Sequence, residues 1–420
     1  MASLHRNHVS DLRGASRMVI DALAGTGGVV EQMHTTIARR ALPLGRSAAR
    51  PASGLTGLVY RTLQGSFRLA GAGVDALLAP LEDWAPQGMR APAHEALVAA
   101  VNGVYGDYLE RTHNPLALRM ALRRRGIEVD PLHPALGLQA AGDAAPSSRL
   151  LVLVHGLCMN DRQWCREGHD HGEALAQALG CSVLYLRYNS GRPIHVNGRQ
   201  FAELLEPLVA HWPVPLDELV LIGHSMGGLV ARSACAQAGP LGHAWLGRLR
   251  KLVFLGTPHF GAPLERGGRA IDLLLGLSPY SVPFNRVGGM RSAGIKDLRH
   301  GCVLAAPQAA PALPVGVACY AAAGTLAARH GLLADKLVGD GLVPLDSALG
   351  RHRDPARALH IPKAQQWVGH ETGHLQLLSR PEVYAQLLAW LGGEARSPRA
   401  LRPEAVRVTS AAAAAAAAFR

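Results

Sequence analysis

Charge is scarce in this sequence. Asp, Glu, Lys and Arg make up 18% of the 420 residues and apolar side chains 48%, a balance that excludes a chain disordered throughout. So little charge on a soluble surface also implies an apolar patch. Any C-x-x-C pair is missing as well. Cys158, Cys165, Cys181, Cys235, Cys302 and Cys319 are widely spread and read as buried small hydrophobes rather than a disulfide framework or a metal site. The net charge of +12 comes without helix-turn-helix spacing, a zinc-finger pattern or a basic stripe interleaved with aromatics, which argues against nucleic acid as a partner. Its arginines cluster at Arg39, Arg40, Arg46 and Arg50, at Arg123, Arg124 and Arg125, and near the C-terminus. Attraction to anionic lipid fits both that charge and the apolar surplus.

Long hydrophobic runs are lacking too. The opening "MASLHRNHVSDLRGASRMVIDALAG" has no apolar signal core ending in a small-residue cleavage site. The uncharged stretch 301–328 is broken by Pro307, Pro311 and Pro314, which suits a loop and a strand better than a membrane span. The expected location is the cytoplasm, with peripheral contact at a membrane surface as a further expectation.

What is present divides the chain in three. Residues 1–138 read as helical: Met18, Ala22, Val29, Met33 and Ile37 mark one face, and Leu58, Leu63, Phe67, Ala70, Val74, Leu77 and Leu78 a second. Further helices are expected over about 94–111 and 115–125. From 139 to 392 short apolar strands alternate with helix-length segments. Strands are expected at 150–154, 182–188, 219–223, 251–255, 317–321 and 359–361, and helices at 173–179, 198–211, 229–238 and 381–391. That alternation predicts an α/β fold with a mostly parallel central sheet flanked by helices. A cap or lid insertion is expected at about 262–312, where Ile271, Leu273, Leu274, Leu275 and Leu277 lie near Phe284 and Met290. Residues 393–420, which end in a run of alanines, read as a disordered tail.

"GHSMG" satisfies G-x-S-x-G where it carries meaning, after an apolar strand and before a helix-compatible "GLVARSACAQA". A serine in so tight a strand-to-helix turn is pushed out above the sheet, and Gly223 and Gly227 supply the small neighbours that the turn requires. Ser225 is therefore the candidate nucleophile. An earlier strand ends in His155-Gly156, where glycine lets the next backbone N–H face a substrate. The amides of Leu157 and Met226 fit an oxyanion hole, and His155 reads as a prop for the loop. Cys158 has no comparable exposed turn.

A serine hydroxyl needs a base, and the base needs an orienting carboxylate. Asp340, between two glycines, is the favoured acid, with Asp335 and Asp346 as rivals. His374, at the edge of the apolar "LQLL", is the favoured base, with His370 as its rival. H-E-T-G-H also has the zincin spacing, but Gly373 and the loop-like flanks make a zinc site unattractive. No metal or cofactor is expected.

Together "LVLVHG", "YNSGRPI", "LIGHSMGGLVARS", "FLGTPHFGAPLE", "GDGLVP" and "GHLQLLSRPEVY" resemble the lipase and esterase branch of the α/β-hydrolases, close to the PGAP1-like (GPI inositol-deacylase-like) bacterial members. The resemblance covers about 150–391. It implies Ser225 as nucleophile, Asp340 as acid, His374 as base and the Leu157 and Met226 amides as oxyanion hole, with Thr257, Pro258 and His259 shaping the cleft. The implied activity is cleavage of carboxylic esters, lipid-like acyl esters among them, through an acyl-enzyme. The 271–277 stretch and the apolar first region add the expectation of medium or long acyl chains. Two other readings stay open: acyl transfer from the same acyl-enzyme, and a non-catalytic membrane-associated scaffold.

Overall fold

A strand buried on both faces must be apolar at every position, and "RLLVLV" meets that demand. In β3 (Arg149–Val154) Leu150, Val152 and Val154 face one core while Leu151 and Leu153 face another, all fully buried. The structure is a computed structural model in which the described residues are 11, 13–18, 92–143, 145–261, 292–306, 311–328 and 339–393. Expectations falling on 22–37, 58–78, 271–277, Phe284, Met290, Asp335 and 394–420 lie outside them.

The other strands of the main sheet are β1 (Ala121–Arg124), β2 (Ile127–Val129), β4 (Ser182–Arg187), β5 (Glu218–His224), β6 (Leu249–Leu255), β7 (Ala318–Gly324) and β8 (Gln366–Gly369). With β3 they form one eight-stranded sheet in the order β8-β7-β6-β5-β3-β4-β1-β2. Strands β3 to β8 run parallel, and β1 pairs antiparallel with both β4 and β2. The helices are α1 (Pro92–Arg111), α2 (Pro134–Ala140), α3 (His171–Leu179), α4 (Ile194–Ala210), α5 (Met226–Ala238), α6 (Ala293–His300), α7 (Leu345–Ala348) and α8 (Pro381–Gly392). One sheet face is covered by α1, α4 and α5 through Val98, Val104, Phe201, Leu205, Leu229 and Val230. The opposite face is covered by α3 and α8 through Leu175, Val383, Leu387 and Leu391. This is the architecture of the α/β-hydrolases.

Two local expectations are corrected. The helix expected over 115–125, within the supposedly helical 1–138, is a turn followed by β1, whose hairpin with β2 closes one edge of the main sheet. Arg123 and Arg124 are buried, Arg123 against Asp161 (3.0 Å) and Glu95 (3.2 Å), Arg124 against Asp143 (2.5 Å) and Glu173. Of that triplet only Arg125 contributes charge to the surface, with half its side chain exposed. The strand expected at 359–361 is also displaced. Leu359 and Ile361 are buried, but the edge strand is β8, where "QWVG" pairs Gly369 with Gly324 of β7. Apolar character at 359–361 reflects packing rather than sheet pairing. Among the described residues no helix is long and apolar enough to cross a membrane.

Candidate active site

Parallel strands deliver their following loops to one end of the sheet, and the expected residues lie there. After β5 the chain turns at once into α5, leaving Ser225 at φ +53 and ψ −123. A non-glycine residue at positive φ is held by its surroundings. Here the Ser225 N–H donates to Leu255 O of β6 (2.8 Å), and Gly228 N–H donates to Ser225 O (3.1 Å). No side chain fits behind the turn: a methyl at Gly223 would stand 2.5 Å from Gly228 Cα, and one at Gly227 2.6 Å from His155 O. The Ser225 hydroxyl is buried and has no hydrogen-bond partner among the described residues.

Asp340 and His374 meet. His374 Nδ1 lies 2.7 Å from Asp340 Oδ2, and both side chains are almost fully buried. Asp340 Oδ1 accepts from the N–H groups of Leu342 (3.0 Å) and Val343 (2.8 Å), and His374 N–H donates to Asp340 O (3.1 Å). Because a carboxylate only accepts, the proton of a neutral His374 sits on Nδ1 and its lone pair on Nε2. That nitrogen is buried without a partner among the described residues. Of the rivals, Asp346 is exposed in α7, 4.0 Å from Arg351. His370 is half-buried in the turn after β8, its carbonyl accepting from Thr372 Oγ1 (2.8 Å).

His224 links the two sites. Its Nε2–H donates to His374 O (3.1 Å) and the two rings lie 4.8 Å apart, so the residue before Ser225 grips the backbone of His374. Burial holds the His224 imidazole well below its ordinary pKa and keeps it neutral. His155 braces the loop after β3: its Nδ1–H donates to Gly156 O (2.8 Å), Nε2 accepts from Tyr188 N–H (3.3 Å), and its ring stacks on Tyr188 at 4.3 Å. A methyl at Gly156 would lie 3.2 Å from Ser225 Cβ, which puts the start of the loop after β3 beside the serine. Leu157 and Met226 are both buried. Burial pushes the Cys158 thiol up to about 12, so it is no rival nucleophile at neutral pH.

Thr257 packs under Gly228, and His259 sits edge-on to Phe254 at 4.6 Å with Nδ1 3.2 Å from Arg232 Nη1. Together with the intervening Pro258 they pin the loop after β6 to α5. The sequence reading passed over the glycine just before them. Gly256 has φ +58, and a methyl there would stand 3.1 Å from His374 Nδ1 and 3.2 Å from Asp340 Oδ2. Any side chain would press on the Asp340–His374 bond. The signal was the same as for Gly156, a glycine directly after a buried strand. Among the described residues no group of His, Cys, Asp and Glu could hold a metal ion.

Residues 146–282 match the PGAP1-like alpha/beta domain. The PGAP1-like stretch takes in β3 to β6, hence His155, Gly156, Ser225 and Thr257 to His259, and ends before Asp340 and His374. No curated protein matches the chain. Similar solved structures include the mature lipase BlEst2 of Bacillus licheniformis, at 18% identity over 58% of this chain and 92% of that one, TM-score 0.40. Lipase B of Aspergillus fumigatus is 14% identical over 60% of this chain and 55% of that one, TM-score 0.36. A thermophilic esterase of Thermogutta terrifontis is 17% identical over 59% and 91%, TM-score 0.33.

The buried histidines make stability depend on acid. Burial depresses both His155 and His171 from 6.5 to about 4. Above pH 6.5 each is neutral folded and unfolded, so neither contributes a pH dependence. Between pH 6.5 and 4 the unfolded chain takes up protons that the folded chain refuses, and stability falls by roughly 3 kcal/mol for each histidine across that window. Urea unfolding at pH 7 and pH 4.5 measures the loss. An unchanged midpoint contradicts it.

Proposed function

We propose that the chain is a serine ester hydrolase acting on carboxylic esters. The observation that carries this reading is the 2.7 Å bond from His374 Nδ1 to Asp340 Oδ2. It leaves Nε2 of the neutral imidazole buried without a partner among the described residues, at the end of the sheet where the Ser225 hydroxyl is likewise buried without one. A buried hydroxyl and a buried imidazole nitrogen each lose free energy by going without a partner, which is what a site awaiting substrate tolerates.

In the reaction His374 Nε2 takes the Ser225 proton as Oγ attacks the ester carbonyl, while Asp340 holds the imidazole tautomer and stabilises the cation that forms. The N–H groups of Leu157 and Met226 receive the developing oxyanion more strongly than the ground-state carbonyl. His374 then protonates the leaving alcohol. Water activated by the same nitrogen releases the acid and restores Ser225. The apolar 271–277 stretch of the sequence favours medium or long acyl chains.

Two measurements test this. A fluorophosphonate is expected to bond covalently to Ser225, and p-nitrophenyl octanoate is expected to be turned over. A chain that takes no label and cleaves no ester is not this enzyme. One that cleaves the acetate but neither the octanoate nor longer esters keeps the chemistry and loses the acyl preference. Acid product, rather than an ester of an added alcohol, separates hydrolysis from acyl transfer.

A further inference from the structure

Helix α1 lies well before the central strand β3 in the chain, yet its glycine face is pressed against the loop that follows β3. A methyl at Gly103 would overlap Cys158 Sγ and come within 2.9 Å of Cys158 N and 3.0 Å of its Cα. One turn on, a methyl at Gly106 would overlap Asn189 Oδ1, and Asn189 Nδ2 donates to Gly106 O (2.9 Å). Cys158 is held at φ +59, its N–H donating to Ser190 Oγ (3.0 Å) and its thiol to Ala100 O of α1 (3.7 Å). Toward the other end of α1, Glu95 pairs with Arg162 (2.5 Å) and Arg123 (3.2 Å), and Arg123 holds Asp161 (3.0 Å). The segment from Leu157 to Arg162 is thus held by α1 at both ends.

We propose that α1 is the wall that sets the oxyanion loop, with Gly103 as a positioning residue acting through Cys158 on the N–H of Leu157. The proposal rests on the ester-hydrolase reading. An oxyanion donor works only within about 2.7–3.1 Å of the charge it stabilises, and a close-packed contact passes on a displacement rather than absorbing it. In a helix docked for stability alone, alanine at 103 would lower the melting temperature and leave kcat, since the methyl collides in either case. In a helix that fixes the loop it lowers kcat as well, because the methyl must displace Cys158.

The test compares wild type with Gly103→Ala, Cys158→Gly and the double variant, measuring kcat and KM on a p-nitrophenyl ester together with thermal unfolding. Gly103→Ala is expected to lower kcat by roughly tenfold to a hundredfold at little-changed KM. Cys158→Gly alone, at a backbone angle that suits glycine, is expected to stay within a few-fold of wild type. The double variant should recover part of the loss, because the closest collision, with the sulfur, is gone while the contact with Cys158 N remains. Glu95→Gln adds no volume and loosens the other end; a several-fold fall in kcat keeps the test alive if Gly103→Ala does not fold. Wild-type kcat in Gly103→Ala, or a folded double variant with no recovery, overturns the proposal. An inactive, unlabelled wild type overturns the ester-hydrolase reading itself, and with it this one.

Discussion

Replacing Ser225 by alanine is expected to lower kcat on any accepted ester by on the order of a millionfold, with the fold intact. The two halves of this expectation have separate physical grounds. Activity falls because, among the described residues, no other hydroxyl or thiol at the site offers a nucleophile: the Cys158 thiol is pushed up to about 12 by burial, and the Thr257 hydroxyl is fully buried beneath Gly228. Stability holds because the Ser225 hydroxyl donates to nothing and caps nothing among the described residues, so its removal breaks no bond. Alanine keeps the same Cβ at φ +53, so the strain of the turn is unchanged. Removing a buried, unpartnered polar atom stabilises if it does anything. Loss of turnover at an unchanged or raised melting temperature is therefore the expected signature. A variant with wild-type turnover means that the nucleophile lies elsewhere. One that unfolds means that the hydroxyl has a structural partner.

The legible parts of the fold were those with a local signature. Strands buried on both faces leave continuous apolar runs, and "LLVLV", "VLYL", "LVLI" and "LVFL" announce β3 to β6 unaided. The β1–β2 hairpin hides because its arginines are neutralised by Glu95, Asp143, Asp161 and Glu173, acids 19 to 49 residues away. No window along the chain contains that information. Strand β8 hides for another reason: as the last strand on its side of the sheet, its half-buried Gln366 and Trp367 carry no apolar run. At the site, the glycines around Ser225 could be read from the strand-to-helix turn. That Asp340 meets His374 depends on which loops lie side by side. That is decided by β7 and β8, whose pairing of Gly324 with Gly369 brings the two following loops together, tied by Thr325 N–H to Gly369 O (2.8 Å) and Thr372 N–H to Thr325 O (2.9 Å). Gly256 could be noticed as a glycine after a buried strand, but its reason for being glycine, a pair of side chains from elsewhere in the chain, was hidden.

Asp340→Asn separates the electrostatic role proposed for this residue from its structural one. The carboxylate makes three bonds: Oδ1 accepts from the Leu342 and Val343 amides, and Oδ2 from His374 Nδ1–H. Asparagine can keep its carbonyl oxygen on the two amides, so the loop between Gly339 and Val343 stays satisfied. What it puts in place of Oδ2 is an NH2 group, a donor where the imidazole needs an acceptor. His374 then does best with its proton on Nε2 and its lone pair toward residue 340, the tautomer that cannot receive the Ser225 proton. The expected result is a fall in kcat of roughly ten-thousandfold with a near wild-type melting temperature. Asp340→Ala is expected to differ in the second measurement, because it strands two buried amides at about 1–3 kcal/mol each. If both variants lose activity and only the alanine loses stability, the carboxylate acts by fixing the imidazole proton. If the asparagine variant keeps full activity, His374 is not the base.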